Sequence, residues 1–210
     1  MKQNNILKYF TAAMFILNGL IPFIAGYFIP LSYSFEYLLF ILLGIAMIIK
    51  FPSMMQTVTF VLLALSELVS VFYGISYLFY STDGIWVIVL NFITAALYVY
   101  LAYASYKISH EMPVRFARSS LWFLPVVILA AVTALIEAVD IFRAVDYVEW
   151  YYAEGYLDGD AYFDKAEAIA SGAVWAARTA FGILGLLLVC LGLKNSAKAI
   201  ENNDEESDLV

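Results

Sequence analysis

Residues 56–80 read QTVTFVLLALSELVSVFYGISYLFY, an unbroken apolar run in which Glu67 is the single charged residue. About 20 apolar residues are enough to cross the hydrocarbon layer of a bilayer as an α-helix. A surface helix of a soluble protein would carry a broad polar face over this length. This stretch carries instead one carboxylate and a few serines and threonines. It therefore reads as a transmembrane helix with a charged group part-way through the membrane.

Working outward, five more segments have the same character, at about 9–29, 34–50, 85–106, 119–143 and 169–193. Lys50-Phe51-Pro52-Ser53 separates the second from the third, and Ser81-Thr82-Asp83-Gly84 is a turn sequence after the third. The sequence predicts an all-α integral membrane domain over 1–193, with six spans whose short connections make neighbours antiparallel. Residues 194–210 read as an acidic, disordered tail. Composition agrees with a membrane class: the chain of 210 residues is 64% hydrophobic and 14% charged, whereas soluble domains are about 45–50% apolar and about 25% charged.

Charge placement sets the expected orientation. Lys2, Lys8, Lys50, Lys107, Arg115, Arg118, Lys194 and Lys198 all fall on one side of a six-span layout. By the positive-inside rule both termini are then cytoplasmic. No cleavage pattern follows the first apolar run, so it reads as a retained helix rather than a signal peptide. These features fit a multi-pass protein of a prokaryotic plasma membrane. The loop at about 144–168 alternates acidic and aromatic residues, including Glu149, Trp150, Tyr151, Tyr152 and Glu154, as expected of an interfacial belt with an added negative charge.

A faint internal similarity links Ala64-Leu65-Ser66-Glu67-Leu68-Val69-Ser70-Val71-Phe72 to Ala134-Leu135-Ile136-Glu137-Ala138-Val139-Asp140-Ile141-Phe142. Asn18 falls opposite the two glutamates when the first segment is added. The pattern suggests three related helical hairpins.

Charged residues within apolar helices are costly, about 2.5–3.5 kcal/mol each on insertion scales, and normally face protein or water. Three stand out: Glu67, Glu137 and Arg178. At 100° per residue, Glu67 shares a face with Ser70, Gly74 and Tyr77, and Glu137 shares one with Asp140. Arg178 shares its face with Ser171, Trp175, Gly182 and Gly185, while Asn91, Thr94 and Tyr98 make a milder polar stripe. The expectation is a polar cluster in the outer half of the membrane, closed by Arg178 pairing with Glu67 or Glu137. Its candidate binding residues are Glu67, Glu137, Arg178 and Asp140, with Tyr77, Asn91 and Trp175 around them.

Two functions fit these residues. One is a small transporter, or a substrate-binding membrane subunit, in which the acidic and aromatic groups attract a cationic or polar solute. The other is a non-transporting scaffold or stress-related subunit, in which the buried charges fix helix packing and the partner is another membrane protein or a second copy of the chain. Catalysis is disfavoured: G-x-S-x-G, H-E-x-x-H and glycine-rich phosphate loops are absent from the sequence. No cofactor or metal is expected. His110 is the lone histidine and Cys190 the lone cysteine, and Asp158, Asp160 and Asp164 lack the order of a calcium loop. No basic patch of the kind that binds nucleic acid is present.

Overall fold

The computed structural model describes residues 2–28, 34–77, 84–112, 124–129, 132 and 161–207. Five helices are defined among them: α1 (Lys2–Ala25), α2 (Phe35–Ile49), α3 (Met54–Tyr77), α4 (Gly84–Ser109) and α5 (Ala161–Ser207). Residues 124–129 are also helical. Four stretches are long and apolar enough to cross a membrane: Asn5–Ala25, Met54–Ser76, Ile88–Ser109 and Ile169–Ile200. These four apolar helices make this a membrane protein by length and composition. The fifth expected span, 119–143, and the second half of the internal similarity lie largely outside the described residues.

Local chemistry sets the helix limits. Gly26 follows the end of α1, and its N–H reaches back to the Pro22 carbonyl at 2.9 Å. Ser34 caps α2, its hydroxyl accepting from the Glu36 N–H at 3.3 Å. At the other end Lys50 turns to extended backbone, close to the Phe51-Pro52 step, where the proline ring disfavours helical backbone in the residue before it. Ser53 then caps α3 by accepting from the Gln56 N–H at 3.1 Å. Beyond Ser109, Glu111 takes a left-handed φ of 57°, and the Met112 N–H closes on the Lys107 carbonyl at 2.9 Å, the geometry by which helices commonly stop.

Two elements depart from the sequence reading. Helix α2 has 15 residues, about 22 Å of helix against a hydrocarbon layer of about 30 Å. Its first turn, with Glu36, therefore starts inside the bundle rather than at its rim. Helix α5 has 47 residues and runs on through 194–207, where a disordered tail is expected. No glycine or proline interrupts that stretch. Ala197 is 8% exposed within the core, and Ile200 packs against it, so apolar contact carries the helix past Lys194.

The helices form one bundle. α1 packs on α2 and α3 on α4, each pair joined by a short connection, and α5 lies along α1. Phe15 stacks on Phe40 at 6.1 Å, and Phe60 on Tyr98 at 6.1 Å. Leu43, Met47, Leu63, Leu101, Val189 and Leu193 fill the space between. Facing outward are large apolar side chains such as Ile24, Phe72, Phe92 and Val99, a surface suited to lipid and unsuited to water. Two buried threonine hydroxyls are satisfied within their own helix: Thr11 donates to the Leu7 carbonyl at 2.7 Å and Thr59 to that of Met55 at 2.8 Å.

One end of the bundle is basic. The Gln56 amide donates to the Ser105 hydroxyl at 3.1 Å, joining the first turn of α3 to the last turns of α4. Lys8, Lys50 and Ser196 line a common cavity. Lys8, Lys50, Lys107, Lys194 and Lys198 therefore gather at the same end.

Helices α1 and α2 touch through glycine. A β-carbon at Gly44 would lie 2.7 Å from the Ala12 carbonyl oxygen, a backbone atom that cannot step aside. Gly44→Val should cost about 1–3 kcal/mol through forced helix separation. Leu191→Val, on an outward face at 52% exposure, should behave nearly as wild type. Unfolding of both variants in detergent checks the difference.

Candidate functional site

Arg178 lies within α5, opposite the first turn of α2. Its Nη2 donates to Glu36 Oε2 at 3.4 Å, and its Nε donates to Asn18 Oδ1 at 3.1 Å. Three rings surround the guanidinium, with centroids at 4.5 Å (Tyr37), 5.0 Å (Trp175) and 5.8 Å (Phe40). A planar cation that is weakly hydrated suits such an aromatic cage better than an ammonium does. The other carboxylate oxygen of Glu36 accepts from the Ser66 hydroxyl at 3.0 Å. Side-chain exposure is 14% for Arg178 and 19% for Glu36, so the pair is held largely by protein. Through it α1, α2, α3 and α5 meet at one point.

Each partner is placed by the local fold. Glu36 sits in the first turn of α2, where the positive end of the helix dipole favours a carboxylate. Asn18 is packed against Gly182, one turn after Arg178: a β-carbon there would fall 2.5 Å from the Asn18 amide nitrogen. A bare backbone at 182 thus lets α1 approach closely enough for the arginine to reach the amide. Pro22 has no N–H to offer the Asn18 carbonyl one turn back, so the polarity of this part of α1 is not wholly spent within its own helix.

Next to the ion pair is a cavity of about 260 Å³. Glu36, Glu67 and Arg178 contribute its charged groups; Asn18, Ser70, Asn91, Thr94 and Tyr98 contribute its polar wall. Leu90, Leu129 and Leu186 supply apolar surface. Glu67 makes no ion pair or hydrogen bond among the described residues. Counting 1.5 Å per residue from Lys8, Lys50 and Lys194 places Asn18, Glu36 and Arg178 about 15–24 Å from the basic end.

The structure brings together Glu67, Asn91 and Arg178 from the sequence-derived candidates, with Trp175 packed over the guanidinium. Tyr77 is the last residue of α3, its side chain outside the described residues; Glu137 and Asp140 lie outside them altogether. The described ionic partner of Arg178 is Glu36; Glu67 lines the same cavity without pairing with the arginine, and the expected pairing with Glu137 falls outside the described residues. Glu36 escapes a sequence reading because it stands two residues inside an apolar segment, where a charge reads as an interfacial end. The available signal is the shortness of that segment, 34–50, whose helix begins within the bundle beside Arg178. Asn18 aligns with the glutamates in the internal similarity, but that alignment does not identify it as a contact of Arg178.

Removing one member of a buried ion pair leaves the other charge uncompensated, at a typical cost of about 3–5 kcal/mol. Arg178→Gln should destabilise the protein by this order, and Glu36→Gln combined with it should recover a large part of the loss. Chemical denaturation of the two single variants and the double variant measures the coupling; strictly additive losses would mean that the pair is not an energetic unit. No protein-family model, curated protein or solved structure matches this chain, so its function is read from the chemistry of the site.

Proposed function

We propose that this chain is a small transporter, or a substrate-binding membrane subunit, that takes a small cationic or polar solute into the cavity beside Glu67. One observation carries the reading. Glu36 is matched to Arg178, while Glu67 faces the same polar cavity with no ion-pair partner among the described residues. A carboxylate in an apolar bundle needs a counter-charge, a hydrogen-bond donor or a proton, and a cation entering the cavity would supply the first. Tyr98, Asn91 and Thr94 would orient that solute. At about 30 Å³ per water molecule, the cavity suits a metal cation with part of its hydration shell, an ammonium ion or a compact amine.

The proposed layout is six crossings of a plasma membrane with both termini in the cytoplasm. The shared end of Lys8, Lys50, Lys107, Lys194 and Lys198 supports that orientation. Helices α4 and α5 both end at the basic side, so the chain between them begins at one end of the bundle and finishes at the other, which supports a crossing between residues 110 and 160.

The scaffold reading retains one observation in its favour: the hydrogen bonds and rings around Arg178 already satisfy it, as a purely structural charge would be. Ligand response separates the two. Purified protein should gain thermal stability from one or more members of a panel of monovalent cations, ammonium and small amines. At a hundredfold excess over the dissociation constant the gain is about 2.7 kcal/mol. Glu67→Gln should fold and lose the response. A stabilisation that persists in Glu67→Gln, or a panel without effect on the folded wild type, would reject the cation site and favour the scaffold.

A further inference from the structure

A second cavity, of about 240 Å³, opens at the basic end of the bundle, far from Glu67. Lys8 from α1 and Lys50 from the end of α2 both line it, together with Asn5 and Ser196. Neither lysine makes an ion pair among the described residues, and the Lys8 ammonium lies 5.6 Å from the centroid of the Tyr9 ring. Two cationic residues lining one cavity favour an anion within it. The amide of Asn5 and the hydroxyl of Ser196 offer further hydrogen-bond donors. Leu7, Ile49, Phe51 and Leu188 also line it, giving the cavity apolar surface next to a cationic side.

We propose that this cavity binds a phosphate group. Its oxygens would bridge Lys8 and Lys50 and accept from Asn5 and Ser196. The group has two possible sources, the headgroup of an anionic phospholipid and free phosphate. The level of the cavity, where the apolar spans give way to the lysines, and its apolar side both match a headgroup whose glycerol and first acyl carbons lie along Ile49 and Leu188. Basic pockets between helices on the cytoplasmic side hold lipid headgroups by this combination. The site uses no residue of the Glu67 cavity and stands whether or not that cavity takes a cation.

Thermal stability of the detergent-purified protein, titrated separately with phosphatidylglycerol, phosphatidylcholine and inorganic phosphate, tests the assignment. Phosphatidylglycerol should stabilise the wild type saturably, and the Lys8→Gln/Lys50→Gln variant should need about thirtyfold more lipid for the same effect. Lys8→Arg/Lys50→Arg keeps both charges and should keep binding, which separates lost recognition from lost folding; Glu67→Gln should leave the titration unchanged. A shift with inorganic phosphate that also depends on both lysines would name free phosphate as the source. Equal responses to phosphatidylglycerol and phosphatidylcholine, indifference to the loss of both lysines, or no response to either phosphate source would overturn the proposal.

Discussion

The ion pair between Arg178 and Glu36 is the constraint on which the arrangement of this bundle depends. An arginine inside an apolar helix has few acceptable surroundings: it must reach water, or be met by a counter-charge, hydrogen-bond acceptors and polarisable rings. Here it is met by all of the latter. Satisfying it requires α2 to start beside Arg178 on α5, α1 to come close enough for Asn18 to accept a hydrogen bond, and α3 to present Ser66 to the far oxygen of Glu36. The apolar packing below this level would tolerate many small displacements, because aliphatic contacts are not directional. The polar contacts would not.

The short second helix links that constraint to the cavity. With 15 residues it fills the basic half of the bundle and stops near Arg178. Glu36 gains from this position twice, through the dipole of its own helix and through the guanidinium opposite. The volume left beside the pair is lined by residues of all five helices, and Glu67 stands on its wall with no ion-pair partner among the described residues. Two glutamates beside one cavity thus have different roles. One closes the packing of the bundle, and the other is the group that the proposed cation would meet.

Much of this is legible in the sequence, and the rest is not for physical reasons. Helical phase groups Asn91, Thr94 and Tyr98, which share the cavity wall, because a period of 3.6 residues determines which side chains share a face. The same reasoning places Glu67 with Ser70 and Arg178 with Trp175 and Gly182. Phase and depth do not say which helices are neighbours, so the partner of Arg178 cannot be chosen from sequence, and the acid nearest the end of an apolar segment is the one discounted. The continuation of α5 past Lys194 is hidden for a related reason. Polar composition suggests a solvated tail, yet Ala197 and Ile200, one and two helical turns beyond the buried Leu193, still meet the core.

A cavity open to solute within a lipid-embedded bundle, with Glu67 on its wall, is what the proposed function requires. Cysteine accessibility in native membranes tests it directly, in a Cys190→Ala background and with a small cationic thiol reagent that does not cross bilayers. Ser70→Cys, on the cavity wall, should react, whereas Val69→Cys, its neighbour at 53% exposure on the outward apolar face, should stay unmodified because lipid keeps the thiol protonated and the reagent out. Equal reactivity at the two positions, or reaction at 69 and silence at 70, would rule out a solute-accessible cavity beside Glu67.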